Sequence, residues 1–329
     1  MPNLLVPEVH QLPVGTVHVE LPTPFPVGPV NCYVLTGSPV TVIDPGMLFG
    51  DSVATLTSAI KRAGLELSDV EVVVVTHGHP DHFGAAGWLA EQSGAAIVTG
   101  RAELPKLLET RDRDQLYQLI RTFGIPEDDL AAFPVFYAAV KEWIHDIDPE
   151  NVTPVDDGEL LELGGRIFDA IVTPGHAAGH LSLWDPADSV LFSGDHILPS
   201  ITPNPLVELD EDSDLLRRRS LVEYLASLDR FVALHPSVVL PGHGPAFSDV
   251  SALVERTRAH HARRADDLAR HVAVLGEPTA YELSRAMFPH IDGFEVMLSI
   301  SEVLGHIDLL IERGAITQSG EEPIRYAAA

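Results

Sequence analysis

The sequence has a single cysteine, Cys32, in 329 residues, which excludes an intrachain disulfide and a thiolate metal cluster. Such sparing use fits a reducing compartment, and Cys32 itself is expected to point into the core. Lysine is nearly as scarce. Lys61, Lys106 and Lys141 are the only three, and Lys plus Arg total 21 against 48 Asp plus Glu. The resulting formal net charge of -27 argues against a sequence-independent binder of nucleic acid or anionic membrane, because that affinity comes from basic patches. No apolar run reaches the ~18 residues of a membrane span. Residues Met1 to Gln11 lack the basic segment, apolar stretch and small-residue cleavage site of a secretory signal. The expected location is cytoplasmic.

What the chain holds in excess is histidine, with sixteen. Imidazole is the commonest metal ligand and titrates nearest neutral pH, so the placement of these residues decides the function. The remaining composition, 45% hydrophobic and 21% charged, is that of a globular protein. At roughly 100–200 residues per domain, the length allows two modest domains or one large domain with an insertion.

Short β-rich runs at Thr16 to Leu21, Asn31 to Leu35 and Val40 to Ile43, separated by Pro and Gly, predict strands. A helix is expected at about Ser52 to Ala63. The continuous apolar run Val72 to Val75 predicts a strand buried on both faces, followed by a helix near Gly84 to Gln92 and a strand at Ala96 to Thr99. Residues 101 to 147 change to helical periodicity and read as an insertion. Strands resume at Glu159 to Leu163, Ile167 to Val172, Leu181 to Trp184 and Val190 to Ser193. A helix near Leu215 to Phe231 then leads to a strand at Val238 to Leu240. Beyond Phe247, helices at Ser251 to Leu275, Thr279 to Phe288 and Phe294 to Arg313 precede a small ribbon within Ile316 to Tyr326, with Gly314 as C-cap. This order suggests a winged-helix-like module. The expected division is a catalytic domain at 1–247 and a mostly helical module at 248–329.

The chemistry sits in Thr76-His77-Gly78-His79-Pro80-Asp81-His82, where three imidazoles and a carboxylate crowd the end of a strand. An irregular loop can fold such closely spaced side chains inward, and neutral imidazoles suit a divalent transition ion. One ion takes only part of this set, so a second ion becomes feasible if the rest of the chain supplies ligands. His176 in Pro174-Gly175-His176, Asp195 in Ser193-Gly194-Asp195 and His243 in Pro241-Gly242-His243 each follow a predicted strand through a Gly-containing turn.

At these residues the chain resembles the metallo-β-lactamase superfamily, whose signature is HxHxDH followed by His, Asp and His on successive strand-end loops. The resemblance covers about residues 15 to 247. It implies an α/β fold, a four-layer αβ/βα sandwich carrying the helical insertion, with the metal site along one edge. By the same resemblance His77, His79 and His176 would hold one ion, and Asp81, His82 and His243 a second, with Asp195 bridging them. Asp44 matches an early Asp that is structural or supports the ligands, while His180 and His196, which sit beside the candidate ligands, are open to either hydrogen-bond support of those ligands or a catalytic role. Asp195 in place of Cys, and the presence of His82, make the chain look like the glyoxalase-II-like branch rather than the exported antibiotic-hydrolysing members. The C-terminal helices resemble the winged-helix tail of lactamase-beta-2-like hydrolases.

Two divalent ions sharing a solvent molecule would lower its pKa and polarise a scissile carbonyl, so the implied activity is hydrolysis of an ester, thioester or lactone in a small-molecule substrate. Asp81 and Asp195 are the candidate catalytic carboxylates. Zinc is the expected metal, with iron or manganese compatible with the same donors. A metal-dependent ribonuclease or phosphodiesterase is the alternative, with Arg101, Arg111, Arg113 and Arg121 as a cationic face on the insertion. A third reading is a non-catalytic or redox scaffold, although no flavodoxin-like segment accompanies it. The tail, with eight Arg and no Lys against twelve acids over 251–329, fits packing or homodimerisation better than nucleic-acid binding. His260, His261 and His306 are expected to solvate or pack helices. The run Glu208 to Asp214 is expected as a solvated loop on the pocket rim, and the insertion as a lid.

Overall fold

The computed structural model describes residues 12–110, 113–210, 216–293 and 295–329. The chain opens with β1 (Thr16–Leu21), β2 (Val30–Leu35) and β3 (Thr41–Ile43), then α1 (Ser52–Arg62) and β4 (Val72–Val75). Two short helices, α2 (Pro80–Phe83) and α3 (Ala86–Ser93), lead to β5 (Ala96–Gly100). The insertion holds α4 (Leu104–Leu107), α5 (Arg113–Thr122), α6 (Glu127–Leu130) and α7 (Ala132–Lys141). After it come β6 (Val152–Val155), β7 (Leu160–Leu163), β8 (Arg166–Val172), β9 (Leu181–Asp185) and β10 (Val190–Gly194). Then follow α8 (Ser220–Leu234), β11 (Val238–Pro241), α9 (Val250–Leu275), α10 (Ala280–Met287), α11 (Glu295–Glu312), β12 (Ile316–Ser319) and β13 (Arg325–Ala328).

Strands β1 to β6 form one mixed sheet in sequence order, and the second sheet has the order β11-β10-β9-β8-β7. Alternation along each strand explains why the two sheets stack. In β2, Val30, Cys32 and Val34 face the core beneath α1 and α3, while Tyr33 and Leu35 face the other sheet. In β10, Val190 and Phe192 point between the sheets, and Leu191 points to the core under α8 and the start of α9. A period of two with apolar residues on both faces is the pattern of a buried strand. Helix, sheet, sheet and helix therefore make the four layers implied by the resemblance, with Cys32 fully buried.

Three local departures from the sequence reading have identifiable causes. Strand β6 escapes notice because Pro154 interrupts its four residues, yet β6 pairs with β5 at the edge of its sheet, where a missing N–H is tolerated. Residues 80 to 83 are a helical turn rather than irregular loop, started by Pro80 in the first turn, where its absent N–H costs nothing. Helix α8 begins at Ser220 rather than Leu215, because Arg217 pairs with Leu209 in an isolated bridge and sends its guanidinium to Asp308; residues 211–215 lie outside the described residues.

The insertion does more than cover the metal loops. Its first segment, residues 101 to 107, lies against them, whereas Leu119, Phe123 and Ile125 are buried in a core shared with α9, α10 and α11. That core also takes Ile316 and Tyr326 of the β12–β13 hairpin. Among the described residues, no helix is long and apolar enough to cross a membrane.

Candidate metal centre

Four strand ends deliver the signature residues to one place. His77, His79, Asp81 and His82 follow β4, His176 follows β8, Asp195 follows β10 and His243 follows β11. His77, His79 and His176 form one group whose donor atoms all lie within 4.8 Å of one another, and Asp81, His82 and His243 form a second. Asp195 lies between the groups. Its Oδ2 is 3.5 Å from Nε2 of both His82 and His243, and 3.8 Å from His176 Nε2. His243 Nε2 is also 3.2 Å from Asp81 Oδ2, and His176 Nε2 is 3.3 Å from His77 Nε2.

The outer ring nitrogens show which nitrogens point inward and carry the lone pair once each ring is neutral. His176 Nδ1 lies 2.9 Å from the Asn204 carbonyl and His243 Nδ1 lies 2.8 Å from the Pro29 carbonyl. A carbonyl only accepts, so each Nδ1 is the N–H, and in the neutral ring Nε2 is a bare donor for a cation. Thr76 Oγ1 donates to Asp44 Oδ2 at 2.8 Å, so it can only accept from His77 Nδ1 at 3.0 Å. His82 Nδ1 donates to the same Asp44 oxygen at 2.8 Å. All four rings therefore turn Nε2 inward. His79 Nε2, His82 Nε2, His243 Nε2 and Asp195 Oδ1 are buried with no hydrogen-bond partner. Buried polar atoms are seldom left so, and convergent unpaired imidazoles beside carboxylates match the donor set of divalent transition ions.

Electrostatics divide the cluster in the metal-free chain. Burial first, then mutual repulsion of the rings, holds His77 well below the usual imidazole range. His79 is lowered by burial, then by His176 and Lys106, and His176 is lowered mainly by burial. His82 is different: burial opposes its charge, but Asp195, Asp44 and Asp81 outweigh it and raise the ring well above 6.5. The same contest raises His243, with Asp195 and Asp81 prevailing over burial. Asp195 is held far below the carboxylate range, because His82 and His243 overcome its desolvation. An ion entering the second group must displace these protons.

The three supporting candidates take different duties. Asp44, in the left-handed region at φ 52°, accepts from Thr76 N and Thr76 Oγ1 at 2.8 Å each and from His82. It thus orients two rings at once. His180 Nε2 accepts the backbone N–H of Asp195 at 3.1 Å, which fixes the turn carrying the carboxylate. His196 instead packs its ring against Tyr224 and Phe231, and burial lowers it to about 3.

Several contributors have no signal in the sequence. Glu103 is fully buried and accepts Gly78 N–H at 2.7 Å with one oxygen and Gly179 N–H at 2.6 Å with the other. One carboxylate thereby ties the loop of His77 and His79 to the loop of His176. Lys106 lies 3.5 Å from Glu103 and pairs with Glu208, which is buried by that contact rather than solvated as expected, while residues 211–214 of the same run lie outside the described residues. Across the sandwich, Asn31 Nδ2 donates to the carbonyls of Pro241 at 2.9 Å and Gly244 at 2.7 Å, and the Tyr33 hydroxyl donates to Pro241 at 2.8 Å, fixing the His243 turn. Two glycines of the ligand turns are needed for close approach. A Cβ at Gly242 would come within 2.2 Å of Asp195 Oδ1, and one at Gly175, where φ is 139°, within 2.3 Å of Tyr224 Cα.

The fold and this constellation together define a metal-dependent hydrolase. The chain belongs to the metallo-beta-lactamase superfamily, whose family model matches residues 25–243. It is similar to the probable metallo-hydrolase YqjP of Bacillus subtilis, 28% identical over 312 residues that make up 93% of this chain and 95% of that protein. It is also 32% identical over 154 residues to the hydroxyacylglutathione hydrolase GloC of Haemophilus influenzae, covering 47% of this chain and 59% of that protein. Among solved structures, the metallo-beta-lactamase family protein TTHA1429 from Thermus thermophilus superposes with a TM-score of 0.82 at 29% identity, covering 96% of this chain and 99% of that one.

Proposed function

We propose that the chain is a dinuclear metal-dependent hydrolase acting on an ester, thioester or lactone bond of a small-molecule substrate. His77, His79 and His176 would hold one ion and Asp81, His82 and His243 the other, with Asp195 between them. The observation that carries this reading is the position of Asp195 Oδ2 within 3.8 Å of Nε2 atoms from both groups, beside inward nitrogens that have no other partner. Zinc is the resident ion that fits best, with iron and manganese accepted by the same donors. When bound, such ions supply an acidified water near neutral pH and polarise the carbonyl under attack.

The protein's own part is orientation and proton handling. Asp44, Thr76 and the backbone carbonyls of Asn204 and Pro29 hold the rings in one tautomer. Asp81, at the edge of the second group and 9% exposed at its side chain, is placed to return a proton to the leaving group. A thioester substrate is favoured by the similarity to GloC, whose name describes a thioester hydrolase.

The ribonuclease alternative draws less support from the insertion. Arg101 pairs with Asp156 and Arg121 with Glu322, while Arg111 and the side chain of Arg113 lie outside the described residues. The deciding experiment is a metal-quantified screen of esters, thioesters, lactones, phosphodiesters and single-stranded RNA, run on the wild type and Asp195→Ala. Carbonyl-ester or thioester turnover that disappears with the metal in Asp195→Ala is expected. Full turnover with no metal present refutes the mechanism, and metal-dependent cleavage confined to RNA transfers the assignment to the nuclease.

A further inference from the structure

A further set of side chains that could hold a metal ion lies away from the strand ends, between α9 and α11. His260 and His261 on α9 and Glu302 on α11 bring one donor atom each to within 4.8 Å of one another. Helix α9 continues for 26 residues and packs along α11, so the two helices hold these groups on rigid scaffolding.

The hydrogen bonds around His261 leave one of its ring nitrogens without a partner. His306 Nδ1 lies 2.7 Å from the Glu302 carbonyl and must donate to it, which leaves His306 Nε2 as an acceptor. His261 Nδ1 is 3.1 Å from that acceptor and therefore carries the hydrogen. The second nitrogen of His261, Nε2, is then a lone pair. It is buried on a residue 1% exposed and has no hydrogen-bond partner. A neutral histidine whose far nitrogen is fixed by a donor bond has the arrangement of a metal ligand with its supporting shell.

The surroundings place one cation and an opening to solvent beside the set. Arg264 Nε forms an ion pair with Glu302 Oε1 at 3.9 Å, so an entering ion would share this carboxylate with the guanidinium. His260 is partly exposed and lines a cleft of about 320 Å3 with Arg263, Arg264, Asp267, His271 and Met287, so its side of the set opens to solvent. Two imidazoles and one carboxylate leave a fourth position for solvent, and this donor set selects a transition ion over calcium or magnesium.

We infer that His260, His261 and Glu302 form a third, mononuclear site for a transition-metal ion such as Zn(II), separate from the centre at the strand ends. His306 serves it as a positioning residue. The site does not depend on the hydrolase reading, since none of its residues belongs to that centre.

The test is metal stoichiometry of the full chain. Wild type, His260→Ala, Glu302→Gln and Asp195→Ala are stripped with chelator, reloaded with Zn(II), desalted and analysed for zinc per chain. Circular dichroism of the stripped proteins checks that each is folded, and His260, being partly exposed, is the substitution least able to disturb packing. The expected result is one zinc fewer in both His260→Ala and Glu302→Gln than in wild type, with Asp195→Ala keeping the zinc those variants lose. In the Asp195→Ala background, Zn(II) raises Tm, and adding His260→Ala removes that rise. Equal zinc in wild type, His260→Ala and Glu302→Gln overturns the inference, whatever the count at the strand-end centre. Loss of zinc confined to Asp195→Ala also overturns it.

Discussion

Replacing Glu103 by Gln keeps the side chain's shape and changes one acceptor into a donor. In the native chain both carboxylate oxygens are in use, on Gly78 N–H at 2.7 Å and Gly179 N–H at 2.6 Å, with no exposure to water. Whichever way the amide turns, its NH2 faces a backbone N–H. One donor is then buried unsatisfied, at a cost of about 1–3 kcal/mol. The surviving bond loses its charge assistance, and the Lys106 ammonium keeps Glu208 but loses half of its counter-charge. Together these predict a loss of roughly 2–4 kcal/mol in equilibrium urea unfolding of the chelator-stripped protein. The strain falls on loops that carry His77, His79 and His176, so zinc affinity, measured by competition with a chromophoric chelator, should drop roughly 10–100-fold. Glu103→Asp should behave similarly, because a side chain one methylene shorter cannot span both donors. Stability within about 0.5 kcal/mol of wild type, together with zinc affinity within about twofold, would refute the assignment of Glu103 as the tie between the loops.

Other perturbations test separate parts of the argument. Arg217 and Asp308 form a buried bidentate pair at 2.6 and 2.7 Å, so Arg217→Met should cost about 3–5 kcal/mol in urea unfolding by stranding the carboxylate, and adding Asp308→Leu should recover most of it. Buried His306 and His261 are lowered by desolvation to about 4 and about 3, whereas the unfolded chain titrates near about 6.5. Their neutral native forms therefore contribute stability that is intact above about pH 6.5 and is lost as pH falls toward 4. His306→Gln should flatten the acid-side slope of the metal-free protein by roughly 1 kcal/mol per pH unit, and unchanged slopes would contradict the burial argument. Gly242→Ala should push the Asp195 carboxylate out of place and reduce bound metal per chain, with the overall fold intact by circular dichroism.

The strand ends show how far the one-dimensional pattern reached. Apolar runs such as Val72 to Val75 ending in Gly, His and Asp residues announced the strands and the ligand-bearing turns, because a buried strand stops where polar side chains begin, and the sandwich followed only from the resemblance those turns carry. Neighbouring histidines were not separable in that way. His180 and His196 each sit beside a signature residue, yet one supports the Asp195 backbone while the other packs on Tyr224 and Phe231, since a shift of one or two residues in a turn reverses the direction of a side chain.

By itself, the sequence determined most of the strands and helices along the chain and the residues able to bind metal, because periodicity and donor type are local properties, while the sandwich itself was implied by the resemblance carried on those residues. Tertiary structure alone decided that Glu103 clamps two loops, that Asn31 and Tyr33 hold a turn more than 200 positions away, and that the insertion shares a core with the C-terminal helices. It also decided that His261 faces His306 across two helices and is left with an unpaired nitrogen. These outcomes depend on which distant surfaces meet when the core closes, and a carboxylate or imidazole carries no mark in its own segment of the partner it will find.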